Sequence, residues 1–500
     1  MVSQRDVRQY GDFQTPQELA DAVCRRLVRM GLEPAAVLEP TCGRGAFLVA
    51  AERAFPGART ILGVDIDARH VAEARDSVRS RRVSVTQGDY FAMDWERILA
   101  RGADPWLVLG NPPWVTNSEL GRLKSANLPA KSNIQGHRGL DALTGKANFD
   151  ISESMLMQQI GWLEEHTGWS AMLVKTAVAR KVLRGVWSRG EPVGRAALFK
   201  VDALQHFGAA VDACLFVLPV GVGPSSQECD VFDSLAAEQP SGVIGRYDGV
   251  MVSDVGAFLE HRALIGVNAD YIWRSGVKHD CSRVMELITD GEGRVTNGFG
   301  ERLQLEDTCL FPMLKSSDIA KGRLPAGRFM LVPQRAVGDD TSGIKRHAPR
   351  TWAYLTAHGD RLDARSSAVY RGKPRFSVFG VGSYTFAPWK VAVSGFYRDV
   401  RFVNAGSVGG KPVVVDDTVY FIPCRSEAEA DFVLALVRSE PFTKLAHSMI
   451  FPDEKRPVTA ELLKRISLER VAAALGMGAR YRAMTTKTGA PADETTGSTV

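Results

Sequence analysis

The stretch that most constrains this chain is Ala36–Leu38 running into Glu39-Pro40-Thr41-Cys42-Gly43-Arg44-Gly45, with a helical pattern from Ala46. A short apolar run bounded by a glycine turn reads as a buried strand. Glycines allow a backbone to approach a ligand closely, and open α/β sheets bind nucleotides at the carboxyl ends of their strands. The pattern recurs. Thr60–Val64 ends at Asp65-Ile66-Asp67, Arg82–Thr86 at Gly88-Asp89-Tyr90, and Trp106–Gly110 at Asn111-Pro112-Pro113-Trp114. A sheet that gathers these four turns at one rim gathers all the polar chemistry of the region with them.

The first turn lacks the G-x-G-x-x-G phosphate fingerprint, and Glu39 is unsuited to a pyrophosphate. An acid there fits a cationic, phosphate-free nucleoside such as S-adenosylmethionine. Asp65 follows Gly45 by twenty residues, about where an acid meets ribose hydroxyls. Asp89 is placed to take an adenine amino group, with Tyr90 packing on the ring. The fourth turn is stiff, because two prolines fix two φ angles and remove two donors. Its free carbonyls and the Asn111 amide can accept two hydrogen bonds from an amino group while Trp114 stacks on the ring that bears it. Alone, Asn-Pro-Pro-Trp is equally an ordinary turn; its place after the other three turns favours the chemical reading.

Together these residues resemble the γ-class, TaqI-like N6-adenine DNA methyltransferases over roughly residues 8–220. Gln14-Thr15-Pro16 resembles the segment that closes over the methionine moiety, and Glu39 to Phe47 the cofactor loop. Asp65 with Ile66 resembles the ribose acid and its neighbour, Asp89 and Tyr90 the adenine contacts, and Asn111 to Trp114 the catalytic motif, whose Asn111 also borders the cofactor. Asn148-Phe149 resembles the motif lining the target-base pocket, and Phe207 the aromatic on the other face of the flipped base. Trp114 departs from the family, where Tyr is commoner. The resemblance implies a Rossmann-like methyltransferase mixed sheet with helices on both faces, followed by an α+β target-recognition domain. It implies S-adenosylmethionine as cofactor and double-stranded DNA as partner.

The expected chemistry starts from a poor nucleophile, since the adenine N6 lone pair is delocalised into the ring. The Asn111 side-chain oxygen and the Pro112 carbonyl each accept an N–H, pushing the nitrogen toward tetrahedral geometry and aiming its lone pair at the methyl group. Orientation and preorganised acceptors carry the catalysis. The base must leave the duplex, at a cost of a few kcal/mol; stacking between Trp114 and Phe207 returns roughly 1–3 kcal/mol. The long segment from Val115 to Ala147 carries Lys124, Lys131, His137, Arg138 and Lys146, expected to meet the DNA backbone.

Five hundred residues suggest two or three domains. The catalytic domain is expected over 1–220, a Gly-Pro-Ser linker over 221–230, the recognition domain over 231–483 and a disordered Thr/Gly/Ala-rich tail over 484–500. Net charge is only +5, but Lys315 to Arg401 holds sixteen Lys or Arg against six Asp or Glu, with eleven aromatics interleaved. Charge alone fits a solvated surface over an ordinary core as well as a nucleic-acid contact face; with a methyltransferase domain in front, a DNA target-recognition domain is expected, and Lys315, Lys345, Arg346, Arg371, Lys373 and Arg375 are its candidate DNA contacts. Phe311 to Ile319 resembles a segment of related recognition domains. Strands are expected at Phe376–Phe379, Lys390–Val393 and Val413–Ile422, and helices at Glu427–Val437 and Thr459–Leu475. The seven scattered cysteines make neither C-x-x-C pairs nor His clusters, so neither metal nor disulfide is expected. Arg5, Asp6 and Arg8 argue against a signal peptide, and no apolar run reaches the roughly 18 residues of a membrane span; a cytoplasmic monomer is expected.

The same amine chemistry leaves N4 of cytosine, RNA and a protein glutamine as alternative acceptors. Ser more often replaces Asn in the cytosine group, and the glutamine enzymes carry their extra domain ahead of the catalytic one. An inactive DNA-binding specificity partner would be expected to lack Asn111 or the loop glycines. Residues 228–310 carry no convincing nuclease signature, so any accompanying cleavage is expected from a separate restriction endonuclease.

Overall fold

The computed structural model describes residues 13–115, 150–289, 292, 294–323 and 327–486. Contacts divide the chain into two compact units, Met1–Val255 and Gly256–Val500.

The first unit alternates strands and helices: α1 (Gln17–Arg29), β1 (Ala36–Glu39), α2 (Ala46–Ala54), β2 (Thr60–Asp65), α3 (Ala68–Ser77), β3 (Val83–Gln87), α4 (Trp95–Leu99), β4 (Trp106–Gly110), α5 (Ile151–Glu165), β5 (Gly168–Lys175), α6 (Thr176–Arg189), β6 (Ala196–Val201), α7 (Ala203–Phe207) and β7 (Ala213–Val220). Three further strands follow, β8 (Glu228–Phe232), β9 (Gly242–Tyr247) and β10 (Val250–Val252). One sheet holds all ten, in the order β10-β9-β8-β6-β7-β5-β4-β1-β2-β3. The strands from β3 to β5 are parallel and β7 runs antiparallel between β5 and β6. This is the expected Rossmann-like mixed sheet.

The two-residue period of β5 shows how both faces are covered. Ala171 and Leu173 enter the core with Leu19 and Val23 of α1, Leu48 of α2 and Val71 of α3. Ser170, one residue out of phase, points the other way and bonds Gln159 of α5. In α1 the buried Leu19, Ala20, Val23, Cys24 and Leu27 recur at helical spacing and form one stripe. Strand order reverses between β1 and β4, so the rim beside their carboxyl ends is the switch-point crevice of an open α/β sheet.

The expected linker at 221–230 falls inside this unit. Gly221 and Gly223, at φ 64° and 72°, make a turn after β7, and β8 then pairs parallel to β6. Glycines that suggested a flexible tether supply left-handed turn positions within one sheet.

The second unit is α+β. A six-stranded sheet combines β12 (Glu286–Thr289), β13 (Val295–Thr296), β14 (Arg302–Leu303), β15 (Leu310–Leu314), β16 (Arg328–Leu331) and β19 (Val414–Val415). A four-stranded one combines β11 (Arg274–Ser275), β17 (Trp389–Ser394), β18 (Phe402–Gly406) and β20 (Val419–Cys424). The helix Glu427–Val437 has the expected bounds, capped by Ser426. Three expectations are corrected. Phe376–Phe379 is no strand: the buried Phe376 sits in a turn at φ 68°, and only Phe379 pairs, in an isolated antiparallel bridge with Lys278. The run from Val413 breaks into β19 and β20 where Asp416 accepts hydrogen bonds from Thr418. The long helix divides into Ala460–Lys464 and Leu468–Ala474 because the Ser467 side chain caps the second. Met484 and Thr485, expected in the tail, belong to the helix Gly478–Thr485. No helix among the described residues is long and apolar enough to cross a membrane.

Candidate active site

The rim is organised around Asp65. Its carboxylate accepts the Gly43 N–H at 2.8 Å and the Asp67 N–H at 2.9 Å, while the Cys42 N–H bonds the Val64 carbonyl. The glycine turn is thereby fastened to the end of β2. Gly43 and Gly45 sit at φ 49° and 85°. A side chain at Gly45 would press on Ala74 of α3 at 3.0 Å, so backbone and neighbour both require glycine. Gln14 lies over the turn and accepts the Arg44 N–H at 3.1 Å, which brings the Gln14-Thr15-Pro16 segment onto the loop.

Glu39, at the end of β1, is 3% exposed and its Oε2 has no partner among the described residues. Burial first, and then the charge of Asp65, hold its carboxyl well above the usual range. A buried carboxyl with one unmet oxygen, beside a second carboxylate, is a donor set suited to a cation. Ile66, between Asp65 and Asp67, is 48% exposed and forms an apolar ledge beside the Asp65 carboxylate. The orphaned carboxyl, the glycine cradle and this apolar ledge fit a positively charged nucleoside. Thr41, Asp65 and Asp89 remain partly exposed around it, and Asp89 also accepts the Phe91 N–H.

Three expected contacts are otherwise engaged. Phe47 is 1% exposed and belongs to the core beneath α2, and Pro40 is buried. Tyr90 packs among Phe91, Trp95 and Trp162, and its hydroxyl donates to the Met155 carbonyl at 3.0 Å. Its side chain is a core element; the half-buried Phe91 is the neighbouring aromatic nearer solvent. The Cys42 thiol, buried and close to Glu39, is pushed far above its ordinary value and is no nucleophile.

Gly110 carries the chain past the cofactor turn: a side chain there would lie 3.5 Å from Glu39 Cγ and 4.0 Å from Thr41 Oγ1. Asn111 follows. Its Nδ2 donates to the Phe13 carbonyl at 3.0 Å and to Thr15 Oγ1 at 3.3 Å. A carbonyl only accepts, so this contact fixes which way the amide points. Oδ1 is left buried with no partner among the described residues, and no described residue donates to the Pro112 carbonyl. An unmet buried acceptor costs about 1–3 kcal/mol, which a folded chain tolerates where a ligand supplies the donor.

Trp114 and Phe207, expected on the two faces of a flipped base, lie with their rings in direct contact. Their centroids are 5.2 Å apart with planes at 72°. Phe13, which sequence reading missed, closes the cluster at 5.6 Å from Trp114 and 6.0 Å from Phe207. A base sandwiched between two rings needs parallel faces about 7 Å apart, two contact spacings of ~3.5 Å, so these rings must part to admit one. Trp114 is also held by β5: its Nε1 donates to the Leu173 carbonyl at 3.2 Å, and Lys175 Nζ donates to its carbonyl at 3.1 Å. Lys124, Lys131, His137, Arg138, Lys146, Asn148 and Phe149 lie outside the described residues.

In the second unit the candidate cations separate into two groups. Lys315 bonds both oxygens of Glu286 at 2.7 Å, and Arg375 bonds Asp363 at 2.9 Å. These two expected DNA contacts are spent on internal pairs. Lys345, Arg346, Arg371 and Lys373 are exposed and form no ion pair among the described residues. The Thr341 hydroxyl donates to the Arg375 carbonyl, and Ile344 shares a core with Phe376, so the two basic segments belong to one lobe. No group of three or more His, Cys, Asp or Glu among the described residues is arranged to hold a metal.

No protein-family model matches the chain. The Type II methyltransferase M.NspV of Nostoc sp. is 40% identical over 468 residues, covering 93% of this chain and 97% of that protein. The Type II methyltransferase M.CvrRI of Paramecium bursaria Chlorella virus XZ-6E is 29% identical over 133 residues, 27% of this chain and 32% of that protein. Among solved structures, the Type IIL restriction-modification enzyme MmeI in complex with DNA aligns at 14% identity and a TM-score of 0.47, over 94% of this chain and 75% of that one.

Proposed function

The chain belongs to the Type II methyltransferases, and from that membership we propose that it methylates the N6 amino group of a flipped-out adenine in duplex DNA, as the modification enzyme of a restriction–modification system. Its cofactor is S-adenosylmethionine, which supplies an electrophilic methyl group. Thr15, Glu39, Thr41, Gly43, Gly45, Asp65, Ile66 and Asp89 are the residues that would hold it.

The observation that carries this reading is the Asn111 amide. Its NH₂ is committed to Phe13 and Thr15, which leaves Oδ1 as a buried acceptor with no partner among the described residues, free to take an amine donor. With the Pro112 carbonyl it offers the two acceptors that an exocyclic amine needs to give up planarity. Neither is a strong base, and none is needed before attack, because the amine becomes acidic only once alkylated. Removing one preorganised hydrogen-bonding group from an oxyanion hole costs about 2.7–4 kcal/mol, and a contribution of the same order is proposed for each acceptor here. Trp114 and Phe207 are the rings that would grip the base, and the second unit is the target-recognition unit. Lys345, Arg346, Arg371 and Lys373 provide its phosphate contacts, a monomer is the working form, and a separate endonuclease supplies any cleavage.

The experiment is transfer of labelled methyl from S-adenosylmethionine to unmodified duplex DNA, followed by nucleoside mass spectrometry. N6-methyldeoxyadenosine is expected. N4-methyldeoxycytidine would keep the Asn111 chemistry and overturn the choice of base; label in RNA or protein alone would overturn the DNA reading. Reversing the four exposed cations to Glu should weaken DNA binding and lower the salt slope by about one for each phosphate no longer neutralised.

A further inference from the structure

Lys175 closes β5 at the point where the chain leaves the catalytic rim and returns to it. Its ammonium donates to the Trp114 carbonyl at 3.1 Å and to Asp150 Oδ2 at 2.7 Å. Asp150 is 6% exposed and caps α5, and its other oxygen accepts the Ser152 hydroxyl at 2.7 Å and the Ser152 N–H at 3.2 Å. The Ile151 N–H bonds the Val115 carbonyl at 3.0 Å, so the residue after Trp114 lies against the start of α5. The pair is anchored rather than free: Lys175 is 25% and Asp150 7% exposed at the side chain.

We propose that Lys175, held by Asp150, is a positioning residue for methyl transfer, setting the orientation of Trp114 and through it the Pro112 and Pro113 carbonyls. The inference rests on reading Asn111–Trp114 as the acceptor site. The physical argument is about which restraints the motif has. Asn111 is tied at its side chain to Phe13 and Thr15. The prolines have no N–H to donate. The remaining handles are at Trp114, and both come from β5: Leu173 takes the indole N–H and Lys175 grips the carbonyl. Without Lys175 the peptide after Trp114 is deprived of its only charge-assisted restraint among the described residues, and the indole can pivot about the bond to Leu173. The Trp114 and Phe207 rings must separate to take a base, so the backbone behind one of them has to stay fixed while they do. A buried ion pair is weak evidence for stability, whereas misplacement by about 1 Å costs on the order of 100-fold in rate.

The test uses the full-length chain and unmodified duplex DNA. Lys175→Met should lower kcat by about 10- to 100-fold, with cofactor Kd within about twofold of wild type by titration calorimetry. Lys175→Arg, which can donate to both partners, should recover most of the rate. Lys175→Met leaves Asp150 buried without its cation, so Lys175→Met/Asp150→Asn is the control: it should recover thermal stability and stay as slow as the single variant. Incorporated 5-fluorotryptophan gives a second readout independent of any acceptor, with the Trp114 resonance assigned through Trp114→Phe and expected to move in both Met-containing variants. A rate for Lys175→Met within twofold of wild type, or full recovery of rate in the double variant, would overturn the proposal. If the wild type methylated no DNA, the acceptor reading would fall on its own; an unmoved Trp114 resonance would then overturn the positioning role, and a moved one would support it.

Discussion

On the β1–β2 side of the rim the groups proposed to hold the cofactor are already fastened together; on the β4 side three aromatic rings fill the space proposed for the base. The cofactor side is held by hydrogen bonds donated by main-chain N–H groups: Gly43 and Asp67 to the Asp65 carboxylate, Cys42 to the Val64 carbonyl, Arg44 to the Gln14 side-chain oxygen. The acceptor side has a buried acceptor, Asn111 Oδ1, with no partner among the described residues, but the Trp114, Phe13 and Phe207 rings touch, Phe207 meeting the other two edge to face. The difference follows from what each side must do. A small cation can enter a finished cradle and gains from its rigidity. A base attached to a duplex arrives from outside, and rings in mutual contact keep apolar surface covered until it does. The energy to part them is of the same order as the stacking a base returns, roughly 1–3 kcal/mol.

The contrast can be broken at either side. The largest effect is expected from Asn111→Ala, which removes one acceptor and should lower kcat by about 10²–10³-fold while cofactor affinity stays within a few-fold; an equal loss in both would mean that the amide serves the cofactor side. Phe207→Ala should cost about 10- to 100-fold in binding of DNA carrying an unstacked target base, the equivalent of the missing stacking energy, with no change in cofactor titration. Asp65→Ala should weaken cofactor binding and also loosen the glycine turn, so a tighter turn in hydrogen exchange would sink the assignment of Asp65 as its anchor.

Glu39→Gln sharpens the comparison through pH. Burial and Asp65 raise the Glu39 carboxyl above its unfolded value. The folded free protein therefore keeps a proton that the unfolded chain releases, and stability falls as pH rises from the ordinary carboxyl range toward the raised value. The Gln variant should be free of that loss and melt higher at neutral pH. It should also bind the cofactor roughly tenfold more weakly, about 1.4 kcal/mol, and its affinity should lack the rise with pH expected of wild type, where a bound cation favours the ionised acid. A wild-type affinity independent of pH would contradict the cation-site reading of Glu39.

The reach of the sequence follows the same division. The turns after β1, β2 and β3 on the cofactor side and the Asn111 turn after β4 each end a strand, so periodicity and a glycine, acidic residue or proline pair reveal them locally. Features that depend on distant partners stayed hidden. Phe13 meets Asn111 across 98 positions, Lys315 finds Glu286 across 29, and Lys175 finds Asp150 across 25. Charge density could mark the segment from Lys315 to Arg401 as basic, but only the fold separates the paired Lys315 and Arg375 from the unpaired Lys345 and Arg371. Tyr90 carried an aromatic signal that a core and a ligand site share; burial decides for the core. Gly221 and Gly223 look alike in a tether and in a tight turn, and the pairing of β8 with β6 decides for the turn.

The most direct test is a structure of the enzyme with target duplex DNA and a non-reactive cofactor analogue, compared with the free enzyme. The prediction is a base between Trp114 and Phe207 with the rings parted to about 7 Å, its amine on Asn111 Oδ1 and the Pro112 carbonyl, and the Asp65 hydrogen bonds to Gly43 and Asp67 intact. A base bound elsewhere while the rings stay in contact, or a glycine turn that rebuilds around the cofactor, would contradict it.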